Sequence, residues 1–410
     1  MARTAPSDVV FLLPGFLGFD QLNDFHYFSD RAEGALRAAL LARTGREIPV
    51  LPLATLPTSS LVDRQRDLRA RIVGWLRRDE LRRVKRIHLV GHSTGGVDAW
   101  LLLCSKPLVH SVHAGRPSRF DGRWDDEFRK AHVKLRGAAA LSAPFQGATI
   151  TQTDALQLFA ELPWGLLNHL PGALVMARAA LLLARRVTRR GTGPSDVAVN
   201  LIVDGRGTRR FLAEVCRSRE LVADLLPASM KQLMQHAPFP SGPNAPTVAC
   251  FASVGPRPET PFRERPCVPG EPGARSFYRL CHDQVSGAVD EDFTQQVAAN
   301  LAEMNRDGVQ VFGRAHAHGR PLTASDNDGI VNTGSMLPSR GGRLAGLMVA
   351  DHADVIGHYP RLRDNPDAPP RNPQWKVDDE GLFDSNAAFD DHDFFTLYGS
   401  VAEALAAHMR

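Results

Sequence analysis

Ile87-His88-Leu89-Val90-Gly91-His92-Ser93-Thr94-Gly95-Gly96-Val97-Asp98-Ala99-Trp100 is the stretch whose reading decides the fold. A short apolar run, read as a buried parallel strand, is broken by Gly-x-Ser-x-Gly, and a helix-like run from Val97 to Leu103 follows. Strand, tight turn and helix are the setting in which this pattern forms a nucleophile elbow, with a strained serine whose hydroxyl projects above the sheet. Gly91 and Gly95 flank Ser93 because a Cβ at either place would collide across the turn. The bare pattern also arises by chance in long chains; the flanking strand and helix give it weight. Ser93 is therefore the candidate nucleophile.

A serine alcohol is unreactive at neutral pH, so the chemistry needs a base, an acid to orient that base, and donors for the oxyanion. Val9-Val10-Phe11-Leu12-Leu13 reads as a buried strand, and Pro14-Gly15-Phe16-Leu17-Gly18 follows at once. A Gly-rich turn leaving a core strand can aim backbone N–H groups at a reacting carbonyl, although the same residues also suit an ordinary strand-to-loop turn. The N–H groups of Phe16 and Thr94 are the candidate oxyanion pair.

Phe11-Leu12-Leu13-Pro14-Gly15-Phe16-Leu17-Gly18-Phe19-Asp20, with Tyr27-Phe28 beyond, resembles the opening of bacterial lipases of the α/β-hydrolase superfamily. Gly91 to Asp98 is similar to their nucleophile turn. Leu141-Ser142-Ala143-Pro144-Phe145-Gln146-Gly147 resembles the segment after their next strand, and Asn327-Asp328-Gly329-Ile330-Val331 their acid loop. Two departures stand out. Pro14-Gly15 replaces the usual His-Gly, removing a side chain that helps hold the oxyanion loop, and Phe145 stands where the group often has His.

The resemblance implies the chain order Ser, Asp, His. Asp328, just before Gly329, matches the implied acid position, with Asp326 as its rival; either also suits a solvated turn residue capping its own backbone. Gly346-Leu347-Met348-Val349-Ala350 reads as a buried stretch, and Asp351-His352-Ala353-Asp354-Val355-Ile356-Gly357-His358 follows. His352 comes first and fits the resembling His-x-Asp pattern, with Asp354 as its acidic partner. His358 is the competing base, and His316 and His318 are more distant ones. No Cys-x-x-Cys, His-Glu-x-x-His or EF-hand loop is present, which removes support for zinc catalysis. Some lipases of the resembling group carry a structural calcium near the histidine. Asp354 and Asp307 are the oxygen donors this would draw on, but His358 stands where an amide oxygen is wanted. No metal or cofactor is assigned.

With 410 residues, 43% hydrophobic and 23% charged, the chain can bury a large core and has length for insertions. A net charge of +4, with basic residues scattered among acidic ones, excludes a nucleic-acid platform. Nothing near the N-terminus reads as a signal peptide, because the apolar run of Val9 to Leu13 runs straight into the glycine turn. Five cysteines at irregular spacing do not describe a disulfide framework. Cys267 and Cys281 are the one pair that could bridge a loop, with reduced thiols the preferred reading. The expected compartment is the cytoplasm.

Strands at 9–13, near 48–53, 86–90 and 137–142 alternate with helices near 30–43, 61–80 and 97–104, which predicts a mostly parallel sheet with helices on both faces. Residues 105–134 read as a polar surface insertion. The expected organisation is a first part of an α/β-hydrolase core over 1–150, a helical cap with its linker over 151–247, and a second part of the core over 248–410. In that second part, 248–254 resumes the sheet, 256–275 is a Pro/Gly-rich loop, 288–306 is an amphipathic helix, 362–393 is irregular, and 401–409 is a closing helix. The cap is rich in Leu, Ala, Val and Met, with Trp164 early and arginines at 185–190 after its longest apolar run. Such a face can settle on an anionic lipid surface, or simply pack the cap onto the core. The expected function is a lipase or esterase that cleaves carboxylic esters of acyl lipids through Ser93, His352 and Asp328. An acyltransferase or polyester depolymerase on the same triad, and a silent hydrolase-fold binding protein, are the alternatives.

Overall fold

A computed structural model describes residues 6–16, 18, 21–22, 25–111, 118–154, 156, 218, 220–243, 245–257, 272–312, 320–359, 361–363, 376–379, 383, 385 and 387–409. Its centre is a seven-stranded sheet. The strands are β1 (Asp8–Leu13), β2 (Val50–Pro52), β3 (Arg86–His92), β4 (Leu135–Leu141), β5 (Thr247–Val254), β6 (Val311–Phe312) and β7 (Gly342–Val349). They lie in the order β6-β7-β5-β4-β3-β1-β2, and every neighbouring pair is parallel.

Parallel strands covered on both faces must be apolar throughout, with alternate residues serving opposite faces. Along β1, Val9, Phe11 and Leu13 enter one hydrophobic cluster while Val10 and Leu12 enter the other. Helices α2 (Leu61–Leu76) and α3 (Thr94–Leu103) cover the first face; α1 (Asp30–Thr44) covers the second, through residues such as Leu36 and Leu40. Local signals set the ends of these helices. The Ser29 hydroxyl caps α1 by accepting from the Ala32 N–H, and Gly45 closes the same helix in the left-handed conformation that glycine tolerates.

The stretch 105–134 departs from a polar surface insertion. It forms a short antiparallel pair (Leu108–His110 with Arg119–Phe120) and the helix α4 (Asp126–His132), and Leu108, Trp124 and Phe128 are buried in the first cluster. Their wide spacing among charged residues hides this burial from any periodic pattern. Most of the expected cap, including Trp164 and the arginines at 185–190, lies outside the described residues. Its described end carries α5 (Glu220–Asp224) and α6 (Pro227–His236), and Leu221, Leu225, Met230 and Leu233 join the first core cluster. Asp224 also accepts from the Leu61 N–H at 2.7 Å, tying this segment to the start of α2.

Farther on, α7 (Pro272–Gly287) begins inside the stretch read as loop, and α8 (Glu291–Met304) lies within the amphipathic stretch. The two-residue strand β6 carries too little pattern to be read from sequence. The last helix, α9 (Asp391–Ala406), starts earlier than expected, because Asp390 and Asp393 form a reciprocal capping box. It covers the second face beside α1 through Phe394, Leu397 and Val401. Arg361–Arg363 and Lys376–Asp379 pair as a short antiparallel ribbon that begins one residue before the stretch read as irregular and runs into it. Cys281 is a buried free thiol, and Cys267 lies outside the described residues. Among the described residues, no helix is long and apolar enough to cross a membrane.

Candidate active site

The strand order reverses at β1: the chain moves outward from β1 to β2 and then returns to place β3 on the other side. In open α/β sheets the crevice at such a switch point, beyond the carboxyl ends of the strands, is where ligands bind. Pro14-Gly15-Phe16 leaves the end of β1, and Ser93 leaves the end of β3.

Ser93 has φ 54° and ψ −131°, a conformation that costs a non-glycine residue strain. The glycines around it are needed for close approach. A Cβ on Gly91 would come within 2.1 Å of the Gly95 carbonyl oxygen, and one on Gly95 within 2.1 Å of the Leu13 oxygen. A Cβ on Gly15 would meet the Ser93 Cβ at 2.5 Å, so the loop after β1 lies directly against the serine. Thr94 opens α3, and N–H groups in a first turn have no partner within their own helix. Phe16 follows Gly15 in the turn that Gly18 closes by donating to the Gly15 oxygen at 3.0 Å.

Other residues hold that loop where a histidine side chain is absent. Arg64, on α2 and fully buried, donates to the Pro14 oxygen at 3.1 Å and the Leu56 oxygen at 2.6 Å. The same guanidinium pairs with buried Asp98 of α3 at 2.6 Å. Burial pushes the Asp98 carboxyl up, and Arg64 pulls it back. Tyr27 supplies a second anchor, with its hydroxyl 2.8 Å from His92 Nδ1 and a backbone hydrogen bond from Gly15 on its oxygen.

His92 has its other nitrogen, Nε2, 2.9 Å from the His352 carbonyl oxygen. A carbonyl only accepts, so the imidazole proton sits on Nε2 and Nδ1 accepts from Tyr27. Burial, and then the neighbouring His352, depress the His92 pKa well below the ordinary histidine value, consistent with this neutral form. The rings of His92 and His352 lie with centroids 4.5 Å apart. His352 thus stands beside the residue that precedes Ser93.

Asp328 is fully buried, and its Oδ2 lies 2.7 Å from His352 Nδ1. Its Oδ1 accepts from the N–H groups of Ile330 at 3.1 Å and Val331 at 2.8 Å. The His352 N–H donates to the Asp328 carbonyl at 3.0 Å, so backbone and side chain both join the two loops. The structure therefore gathers Ser93, Phe16, Thr94, His352 and Asp328 at one end of the sheet.

The rivals are engaged elsewhere. Asp326 binds Arg320 at 2.6 Å and accepts from the Thr323 N–H at 2.7 Å; burial raises its carboxyl, but these bonds outweigh burial and leave it lowered. His358 directs Nε2 to the carbonyl oxygens of His26 and Tyr27, both at 3.0 Å. Asp354 is not the partner of His352, because its Oδ2 accepts from the Asp351 N–H at 2.9 Å; the acid that reaches the ring comes from the other loop. Asp307 is exposed on the turn after α8, and His316 and His318 lie outside the described residues. Among the described residues, no group of three or more His, Cys, Asp and Glu side chains is arranged to hold a metal ion. Tyr27 and His92 lie inside the stretches that resemble lipase motifs, but nothing in those motifs marks their anchoring role; Arg64 is one of several charged residues on α2 and carries no local signal.

No protein-family profile matches the chain, and no curated protein matches it. Similar solved structures are bacterial lipases and esterases. Staphylococcus hyicus lipase is 13% identical with a TM-score of 0.49, covering 98% of this chain and 97% of that one. Lipase 1 from Pelosinus fermentans is 15% identical with a TM-score of 0.49, covering 97% and 98%. EstA from Clostridium botulinum is 14% identical with a TM-score of 0.46, covering 97% and 89%. The parallel sheet, the strained serine after β3 and the later acid and histidine loops decide the architecture. The chain has an α/β-hydrolase fold.

Proposed function

We propose that this hydrolase-fold protein is a serine esterase that cleaves carboxylic esters of acyl lipids. The observation that carries the reading is the buried Asp328–His352 bond of 2.7 Å beside the strained Ser93 elbow. Ser93 Oγ attacks the ester carbonyl carbon while His352 Nε2 takes the serine proton. Asp328 holds the Nδ1–H and stabilises the imidazolium. The N–H groups of Phe16 and Thr94 take the charge on the tetrahedral oxygen. Collapse breaks the bond to the alcohol, which leaves with the proton from His352. Water then attacks the acyl-serine with His352 again as base, releasing the carboxylic acid and restoring Ser93. Every step uses groups of this chain, the ester and water.

The lipid-like acyl group rests on the composition of the stretch read as a cap, which is rich in Leu, Ala, Val and Met. The test is a panel of esters graded in chain length, run with a serine-directed fluorophosphonate on wild type and Ser93→Ala. Labelling of the wild type alone, with turnover rising on longer and aggregated esters, is the expected result. Turnover highest on short soluble esters removes the lipid part of the reading. Absence of both labelling and turnover removes the hydrolase.

A further inference from the structure

Oδ2 of Asp328 receives a second side-chain hydrogen bond, from Ser253 Oγ on β5 at 2.6 Å. Ser253 Oγ lies in turn 2.7 Å from the hydroxyl of Ser142, which follows β4. Both serines are fully buried. Ser142 has φ 52°, the same left-handed strain as Ser93 one strand away. Neither hydroxyl has a part in the steps above.

The chemistry forces a direction on this chain. A carboxylate oxygen only accepts, so the single Ser253 hydrogen points at Asp328. Met336 Sδ, 3.6 Å from the same hydroxyl, is a weaker and more distant acceptor. Ser253 Oγ then takes the Ser142 hydrogen, and each bond polarises the next among fully buried groups. On Oδ1 both donors are backbone N–H groups of the Asp328 turn itself. Among the described residues, Ser253 is thus the one side chain besides His352 that donates to this acid.

We propose that Ser253, backed by Ser142, is a positioning residue that locks the Asp328 carboxylate in the plane of the His352 ring and draws charge from the oxygen that faces it. The proposal rests on the reading of Asp328 and His352 as acid and base. Removing the Ser253 hydroxyl leaves more negative charge on Oδ2 and strengthens its pull on a protonated His352. The imidazolium is then favoured, so the acid limb of kcat/KM moves to higher pH. The carboxylate also loses its lock, so kcat falls while KM, set by substrate contacts, stays.

The experiment compares wild type, Ser253→Ala, Ser253→Cys and Ser142→Ala by pH profile and by the low-field proton resonance of the His352 Nδ1–H, assigned by its loss in His352→Ala. Ser253→Ala is expected to lose about tenfold in kcat, the scale of one hydrogen bond to a charged group. Its acid limb and its resonance both shift. Ser253→Cys, with a weak donor of similar size, recovers part of each effect, and Ser142→Ala moves both in the same direction by less. Folded Ser253 variants with kcat within about twofold of wild type and with profile and resonance unmoved overturn the proposal. Ser253→Cys and Ser142→Ala carry the same decision if Ser253→Ala does not fold. If the wild type hydrolyses no ester, the function above fails while the resonance still decides the Ser253 coupling.

Discussion

Nε2 of His92 donates to the backbone carbonyl of His352 at 2.9 Å, so the residue before the strained serine fastens the histidine loop. Its Nδ1 accepts from Tyr27, whose oxygen also meets the Gly15 backbone. One neutral imidazole thereby joins the loops after β1, β3 and β7. His92→Phe keeps a ring of similar size and removes both bonds, so the Tyr27 hydroxyl loses its imidazole acceptor and the buried His352 carbonyl loses its imidazole donor. The expected cost is about 1–3 kcal/mol of stability for each bond lost from a buried group. A fall in kcat exceeding that in 1/KM should accompany it. Denaturant unfolding and steady-state kinetics check this, and unchanged kcat would deny His92 any part in alignment.

Arg64 and Asp98 are paired at full burial. Arg64→Met leaves an unpaired buried charge and should destabilise by about 3–5 kcal/mol. Replacing both, Arg64→Met with Asp98→Leu, removes the stranded charge and should restore much of that loss. Activity should not return with it, because the Pro14 carbonyl still lacks its donor. A double variant regaining both stability and turnover would show that Arg64 serves the core alone.

Ser93→Ala and His352→Ala should each cost on the order of a thousandfold or more in kcat, and the double variant should be little worse than either. His358→Ala should act differently. Its ring holds the carbonyls of His26 and Tyr27, so the expected loss is in thermal stability, with turnover of the folded fraction largely kept. Loss of chemistry in His358→Ala with activity surviving in His352→Ala would reverse the base assignment.

At the opposite end of β1, Asp8 meets Arg86 at 2.7 Å, Arg46 at 3.0 Å and His88 at 3.2 Å. Burial alone would raise its carboxyl, but the bonds from His88, Arg86 and Ser7 outweigh burial and hold it well below the ordinary value of 3.8. A depressed folded value means the stabilisation is present above pH 3.8 and fades as pH falls toward the lowered value. Asp8→Asn should therefore separate from wild type most at neutral pH, and the two unfolding midpoints should converge in acid. A gap that stays constant down to strong acid would refute the linkage.

The β1 run, the Ser93 elbow and the helices after them are legible because each rests on a local pattern: a continuous apolar stretch, a glycine-flanked turn, a capped amphipathic run. His352 and Asp328 were readable as residues only through chain order and the resembling motifs. The same chain order pairs Asp328 with His352, but the residues that hold the two in place leave no such trace. Asp354 has the spacing to suggest a partner for His352, yet its carboxylate turns back to the Asp351 backbone. Trp124 and Phe128 looked like parts of a surface insertion, because burial by tertiary packing leaves no period in a short mixed segment.

By itself the sequence determined the chemistry-bearing residue types and the local geometry that strains Ser93, since both depend on neighbours a few positions away. The tertiary structure alone decided what holds the loop after β1, what fastens the histidine loop, and which hydroxyl backs Asp328. Those choices join residues such as Arg64 with Pro14, His92 with His352, and Ser253 with Asp328. Each pair meets only after parallel strands bring their carboxyl ends side by side, and buried polar groups there must find partners across that new boundary.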